Sequence, residues 1–227
     1  MPVLDDIPVD LDAGALLKSV RVAPGGADAK EFEALLDEAR AVARPKALYK
    51  EAFVEARGDD WVVLGGIRFT SRALRKNLDK PERAFVHVAT CGREVDRIAA
   101  DPADFLKAYW LDAIKVALLG LARRHLYDHL DKRYALGKTA TMSPGAADAR
   151  VWPIEEQRPL FALLGDVEGA VGVRLTESCL MVPTKSVSGV RFATEVDFRS
   201  CQLCRRQGCP SRSAPFDPAL WESVEHV

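Results

Sequence analysis

The sequence has no excess of charge of either sign. Its 227 residues contain 32 lysine and arginine residues against 33 aspartate and glutamate residues, which gives a formal net charge of −1. A protein that binds nucleic acid through the phosphate backbone usually carries a broad basic surface. The balanced charge therefore argues against a nucleic-acid partner.

Long apolar runs and a secretory leader are also missing. The N-terminus, MPVLDDIPVDLD, has acidic residues where a signal peptide carries lysine or arginine, and no apolar region follows it. The most apolar stretch, which begins at Ala108, is interrupted by Asp112 and Lys115 and is shorter than the roughly 20 residues that span a bilayer. We therefore predict a cytoplasmic protein without a membrane partner.

Cysteine is scarce and odd in number. A chain of this length buries a core without disulfides, so five cysteines in a reducing compartment are better interpreted as free, catalytic or metal-bound thiols. Three of them form a C-x2-C-x4-C pattern at Cys201, Cys204 and Cys209. Thiolates at this spacing can converge on zinc or an iron–sulfur cluster, with a fourth ligand from Cys91, Cys179, a histidine or an exchangeable group. The alternative is a set of unligated thiols in a mobile tail, or a pair that oxidises on purification.

The chain lacks internal repeats, a regular strand–helix alternation and a glycine-rich phosphate loop. This combination favours an α+β fold with a twisted, mainly antiparallel sheet and flanking helices. We predict a helix from an Asp28 cap to Val42, a hairpin around Gly58, a buried strand in RAFVHVAT and a long helix whose apolar stripe runs from Phe105 to Leu126. Residues 137–153 are typical of a loop, and residues 173–183 and 185–194 of two strands.

Two further patterns are weak candidates for chemistry. His125 and His129 share a helical face and could bind zinc, but no acidic general base lies between them and their neighbours are charged. Lys185 lies next to Ser186, yet no oxyanion motif accompanies a serine–lysine pair. We expect neither a metalloprotease nor a hydrolase.

One run of small hydroxyl residues is more specific. TESCLMVPTKSVSGVRF follows SPG and WPIEEQRPLFALLG, and this order resembles the C-terminal activation domain of cobalamin-dependent methionine synthase and its stand-alone bacterial relatives. The likeness extends from about Ala47 to the end of the chain. The residues of the second segment that carry it are Thr176, Glu177, Ser178, Met181, Pro183, Ser186, Val187, Ser188 and Gly189.

The resemblance implies a domain that binds S-adenosylmethionine and docks over cobalamin held by a partner, a methionine synthase or another corrinoid protein. The partner's cobalamin is then reduced by one electron, from a reductase or a ferredoxin-like donor, and methylated. No catalytic side chain is implied, because the rate comes from proximity. The implied ligand-binding residues are Ser143, Pro144, Gly145, Glu177, Ser178, Ser186 and Ser188. The stand-alone relatives tend to have a cysteine cluster of this type at the C-terminus, and Cys201, Cys204 and Cys209 agree with that pattern.

The sequence departs from this family in three places. Thr141 stands where the resemblance places an arginine, Ala146 where it places a tyrosine, and Gly120 where the long helix would direct a glutamate at the ligand. Two alternatives therefore stay open beside an accessory protein for reactivation. One is a docking module without ligand, and the other is a redox or metal-binding protein that acts through its cysteines.

The same evidence predicts a division of the chain into three parts. Residues 1–46 form an N-terminal helical or extended segment packed on the domain, residues 47–198 form a core like the activation domain, and residues 199–227 form a cysteine-rich tail.

Overall fold

A computed structural model describes residues 1–98, 103–209 and 211–225. The strands are β1 Val3–Leu4, β2 Lys46–Arg57, β3 Trp61–Leu64, β4 Ile67–Thr70, β5 Arg83–Thr90, β6 Thr139–Met142, β7 Arg174–Leu175, β8 Met181–Val182 and β9 Ser186–Ala193. The helices are α1 Ala13–Ser19, α2 Ala27–Val42, α3 Arg72–Asn77, α4 Phe105–Tyr134, α5 Gln157–Leu164, α6 Val167–Val171 and α7 Pro218–Glu225. Short 3-10 turns cover Glu94–Arg97, Ile154–Glu156 and Ser200–Leu203.

The main sheet has seven strands. Six follow the order β4-β3-β2-β5-β9-β6, and β1 pairs with β2 beside them. Every pairing in the described part of the chain is antiparallel, and β5 lies at the centre with all but its first residue buried. The predicted α+β class, with a mainly antiparallel sheet and flanking helices, is confirmed.

The two faces of the sheet carry different helices. On one face, Leu126 and Leu130 of α4 pack in one apolar cluster with Tyr49 of β2 and Phe85 of β5. The opposite face forms the largest apolar cluster with residues of α3, α5, α6 and α7. Since side chains of a strand alternate between faces, β5 and β9 contribute to both clusters.

The N-terminal segment completes the helical layer. Helices α1 and α2 pack against the first half of α4, where Phe32 meets Trp110 edge to face at 5.8 Å between ring centroids. At the other end of the chain, Trp221 and Val224 of α7 are buried in the largest cluster. The division at residues 46 and 198 stays a prediction.

Three local predictions are corrected. The predicted loop 137–153 contains β6, because Thr139–Met142 pairs with the edge of β9. Residues 173–183 are not one strand, since Thr176 and Leu180 close a turn between β7 and β8. Helix α2 is capped by Gly26, and Asp28 lies in its first turn, where a carboxylate complements the helix dipole.

The long helix α4 lies on the sheet with seven buried residues spread along it. Within the three described ranges, none of the helices combines the length and the apolar character needed to cross a membrane.

Candidate functional site

Strand β9 brings the predicted motifs together, because it lies between β5 and β6 near the centre of the sheet. Its SVSG segment faces Thr90 to His87 of β5, while Val190 and Arg191 pair with Met142 and Thr141 of β6. The Ser143–Gly145 turn leaves the sheet directly after β6. The two motifs that are far apart in sequence are therefore adjacent in the fold.

Gly189 is the point of closest approach between them. A Cβ atom at this position would lie 2.5 Å from the Met142 carbonyl oxygen and 2.7 Å from Ser143 Oγ. Real Cβ atoms do not tolerate such distances to backbone, so only glycine permits this approach. The glycine of SVSG thus sets the position at which the Ser143–Gly145 turn starts.

The Ser143–Gly145 turn is held by its own backbone. The Ala146 amide donates to the Ser143 carbonyl at 3.2 Å, and the Gly145 amide donates to the Trp152 carbonyl at 2.9 Å. Pro144 is buried, whereas Gly145 is exposed and has a φ of +75°. Gly145 has no side chain of its own, and although Ile154 lies close beside it, the exposed part of its backbone is open to a ligand.

Ser188 and Ser186 use their hydroxyls inside the protein. Ser188 is fully buried and donates to Gln157 Oε1 at 2.6 Å, which ties β9 to the start of α5. Ser186 Oγ lies 2.9 Å from Thr90 Oγ1 and 2.8 Å from the Pro183 carbonyl oxygen. These hydrogen bonds assign both serines a part in positioning the strand, and ligand contact through either stays a prediction.

Glu177 and Ser178 lie in the exposed turn between β7 and β8. The Ser178 hydroxyl lies 3.0 Å from that of Thr176. Arg158 of α5 donates to the Glu177 carbonyl, so this turn is anchored to the helix that also receives Ser188. Ser143–Gly145 and Glu177–Ser178 are therefore linked through β9 and α5, and ligand contact by the exposed pair is likewise a prediction.

The face of the sheet under α4 carries polar residues that the sequence patterns did not single out. Arg191 Nη2 donates to both carboxylate oxygens of Asp131 at 3.0 and 2.9 Å, and its guanidinium lies 4.1 Å from the centre of the Tyr127 ring. The same ring meets the His87 imidazole edge on at 5.6 Å. A single arginine in the apolar β9 pattern was the one available signal.

His87 is completely buried in this group. Its Nδ1–H donates to the Phe85 carbonyl at 3.2 Å, and Nε2 has no partner among the described residues. Burial, together with the positive charges of Arg191 and Arg123, lowers the pKa of His87 to about 4. The imidazole is therefore neutral near pH 7, and its free nitrogen accepts hydrogen bonds.

Two further buried polar atoms, on the neighbouring strands β6 and β9, also lack hydrogen-bond partners in the described residues. Thr141 Oγ1 and Arg191 Nε are buried without a hydrogen-bond partner in the described part of the chain. Thr141 and Arg191 are paired in register on β6 and β9, and Thr141 lies two residues before the start of the Ser143–Gly145 turn. An unsatisfied buried polar group costs free energy, so these atoms mark a place where a bound molecule can supply the missing hydrogen bonds.

The predicted metal ligands are not assembled into a metal site. Over residues 1–98, 103–209 and 211–225, no group of three or more histidine, cysteine, aspartate or glutamate side chains is placed to hold a metal ion. Cys201, Cys204 and Cys209 are half-buried free thiols. This arrangement does not fit zinc or an iron–sulfur cluster, so we derive no step through either.

Cys201 nevertheless differs from an ordinary thiol. Its Sγ accepts hydrogen bonds from the Ser213 hydroxyl at 3.4 Å and the Ser213 amide at 3.5 Å. These donors, with a smaller contribution from the charge of Arg212, lower the pKa of Cys201.

One residue of the histidine pair on α4, His129, makes a structural hydrogen bond. His129 Nε2 lies 3.0 Å from the Tyr49 hydroxyl, which joins the helix to β2. Burial raises the pKa of Tyr49 to about 12, so the phenol stays protonated in this contact.

One large cavity lies away from these motifs. It has a volume of about 810 Å³ and none of its lining residues belongs to the predicted ligand site. Representative lining residues are Arg75, Lys138, Glu195, Phe198 and Leu220. We place the candidate site at the Ser143–Gly145 turn and β9, because three of the five unpartnered buried polar atoms in the described residues lie on β9 or on the strands beside it, and volume alone supplies no chemistry.

The residues of the candidate site fall in a segment of the chain that matches a known protein family. Residues 138–203 match the model of the family described as vitamin B12 dependent methionine synthase, activation domain. The matched range begins just before β6 and contains the Ser143–Gly145 turn, Glu177, Ser178 and the SVSG segment. A search of curated proteins finds no match.

A solved structure covers more of the chain. The crystal structure of the MetH reactivation domain bound to AdoHcy superposes with a TM-score of 0.56 at 16% sequence identity, over 88% of this chain and 81% of that one. At this identity the likeness establishes the fold. The chain thus has the fold of the MetH reactivation domain, and its residues 138–203 match the activation-domain family of vitamin B12 dependent methionine synthase.

Proposed function

We propose that this protein is an accessory factor in the reductive reactivation of a cobalamin-dependent methionine synthase. The observation that carries the proposal is the family match over residues 138–203, which spans the two motifs that β9 brings together. The partner is a methionine synthase or another corrinoid protein that holds the cobalamin. A reductase or a ferredoxin-like protein supplies the electron.

The residues around Thr141 and Arg191 fit a ligand with a carboxylate. The Arg191 Nε atom and the Thr141 hydroxyl have no partner in the described residues and lie on paired strands at the edge of the sheet, and both are donors that a carboxylate prefers. Arg191 thereby offers the positive charge that the family resemblance places at position 141. Since the related reactivation domain was crystallised with AdoHcy, we propose that S-adenosylmethionine binds here.

The chain's own contribution is to hold and orient. Arg191 is fixed by Asp131 and Tyr127, so its donors are preorganised. The Ser143–Gly145 turn offers exposed backbone at Gly145, and His87 Nε2 offers a buried acceptor on the same face of the sheet. Bound S-adenosylmethionine supplies the methyl group for the partner's cobalt. No side chain moves a proton, so the rate rests on proximity.

A reconstituted assay tests this function. Purified synthase that lacks its own activation domain, inactivated by oxidation, should regain methionine formation when this protein, titanium(III) citrate and S-adenosylmethionine are all present. Leaving out any one of the three should leave it inactive. If the synthase stays inactive with all components and calorimetry detects no S-adenosylmethionine binding, the proposal fails.

Thr141→Val is expected to weaken S-adenosylmethionine binding by about 10- to 150-fold, because a hydrogen bond to a charged group is worth about 1.5–3 kcal/mol. Valine has nearly the same shape, and it removes a buried hydroxyl that has no protein partner. The folded state should therefore be as stable as before, or more stable. Calorimetry and urea unfolding measure the two effects separately.

Thr139→Val is the matched control, since it makes the same change on the same strand two residues away. It should leave binding unchanged. Equal binding by wild type and Thr141→Val would remove Thr141 from the ligand site.

A docking module without ligand is the second candidate. It is favoured by one observation: Ser186, Ser188 and the Nη2 atom of Arg191 already have partners inside the protein. In that case the assay above would show reactivation that does not depend on S-adenosylmethionine binding to this chain.

A further inference from the structure

The 3-10 turn Ser200–Leu203 brings two of the cysteines together. The Cys204 amide donates to the Cys201 carbonyl at 3.2 Å, which places the two residues three apart across one turn. Cys204 is the C-cap that follows the turn, with extended backbone, and its hydrogen bond back to Cys201 brings Cα atoms three residues apart to within about 7 Å. Disulfides join Cα atoms about 4.4–6.8 Å apart, so the backbone already has the spacing that a bond between these sulfurs requires.

Arg212 holds the turn in this geometry. Its guanidinium donates to the carbonyl oxygens of Cys201 at 3.2 Å and Cys204 at 3.1 Å. It also donates to the carbonyls of Arg206 and Ala214, so the loop folds around one cation. From the other side, the Gln202 carbonyl accepts from the Asp217 amide at 2.9 Å. The two cysteines are thus held in a fixed relation rather than on a free chain end.

The two thiols have different surroundings. The hydroxyl and amide of Ser213 both donate to Cys201 Sγ, at 3.4 and 3.5 Å. Donors to sulfur stabilise the thiolate, which is the nucleophile in disulfide exchange. Both cysteines are half-buried and within reach of a small reagent, whereas Cys91 and Cys179 are buried.

We propose that Cys201 and Cys204 form a thiol–disulfide exchange pair, with Cys201 as the attacking thiolate and Cys204 as the resolving thiol. The Cys201 thiolate attacks a small-molecule disulfide, forms a mixed disulfide and releases one thiolate. Cys204 loses its proton to solvent and attacks Cys201 Sγ, which forms the intramolecular disulfide and releases the second thiolate. Two protein thiols are oxidised and one external disulfide is reduced to two thiols.

The turn lies against the candidate ligand site. The Ser200 hydroxyl donates to the Thr141 carbonyl at 3.3 Å. Ser200 directly precedes Cys201, and Thr141 lies two residues before Ser143. A change at the cysteine turn therefore has a direct contact with β6. This pair does not depend on the proposed function, because its geometry stands without any bound S-adenosylmethionine.

Incubation of the full-length protein with glutathione disulfide tests the pair. After acid quenching, peptide mass spectrometry should find a Cys201–Cys204 disulfide in wild type. Cys204→Ser should instead accumulate one glutathionyl group on Cys201, and Cys201→Ser should react at least about tenfold more slowly than wild type. Cys209→Ser is the matched control and should behave like wild type.

Circular dichroism of the variants confirms that each is folded before the rates are compared. Oxidation of Cys201→Ser as fast as wild type would overturn the assignment, as would a disulfide that joins Cys209 instead. Zinc or iron that is bound stoichiometrically to these cysteines in purified protein, and that blocks the reaction until it is chelated, would also overturn it.

Discussion

Gly189→Ala is expected to destabilise the protein by about 3 kcal/mol and to abolish ligand binding at the adjoining turn. The added Cβ would lie 2.5 Å from the Met142 carbonyl oxygen, and Met142 belongs to β6, so the backbone has to move. Relief requires that β6 shift away from β9. That shift would displace the Ser143–Gly145 turn, which leaves the sheet directly after β6.

Gly120→Ala is the matched control, because a Cβ at Gly120 of α4 meets no atom within 4 Å. Alanine is the better helix former, so this variant should gain about 0.5–1 kcal/mol. Urea unfolding gives both free energies, and calorimetry with S-adenosylmethionine gives the binding. If Gly189→Ala proves as stable as wild type, the sheet is wider at this point than the structure shows.

The sequence predicts the central elements because their patterns are strong and local. Strand β5 is an apolar, β-branched run, and α4 has a stripe of apolar residues over many turns, so either one is apparent without its neighbours. Strand β6 is only four residues long and lies within residues 137–153, whose composition is typical of a loop. It exists because β9 offers an edge to pair with, and that contact is not encoded in its own residues.

Part of the candidate site is predicted from the sequence, and part of it is apparent only in the structure. The Ser143–Gly145 turn and the SVSG segment are identified by their resemblance to a family, while Thr141, Arg191, Tyr127 and His87 are not. These four come from three strands and one helix, and they meet only because the strand register places Thr141 beside Arg191 and the helix crosses above them. Such proximity depends on register, which no short motif specifies.

For the cysteines, the sequence motif predicts which residues lie close together but not their function. C-x2-C is a strong signal for thiols that lie close together, and the 3-10 turn confirms their closeness for Cys201 and Cys204. It does not decide between a metal and a disulfide, because both need two sulfurs at short range. The hydrogen bond that closes the turn joins Cys204 to Cys201 and does not involve Cys209, and for this reason we propose a disulfide pair.

His87 is expected to make the protein less stable as the pH falls from about 6.5 to 4. In the folded state its pKa is about 4, against 6.5 for an ordinary histidine, so between these values the unfolded chain binds more protons. Stability then rises with pH in this window and is lost as the pH falls. A shift of this size corresponds to about 3 kcal/mol at pH 4.

The Phe85 carbonyl favours the protonated His87 ring, but burial and the positive charges of Arg191 and Arg123 outweigh it. Arg123 and Tyr127 lie on α4, and the Asp131 carboxylate of the same helix is already paired with Arg191 of β9. His87→Phe removes the titrating group and keeps a ring against Tyr127, and His87→Gln removes it with a polar side chain. Urea unfolding of the three proteins from pH 7 to 4 should show that wild type loses about 3 kcal/mol more than either variant.

Because carboxylates titrate in all three proteins, the difference between wild type and variant is the informative quantity. Nuclear magnetic resonance of the His87 ring protons gives the folded-state pKa independently and should place it near 4. A ring that titrates near 6.5 in the folded protein, or parallel stability curves for wild type and both variants, would mean that His87 gains a proton without unfolding. In that case water or a mobile carboxylate reaches Nε2, and the polar group under α4 is open to solvent.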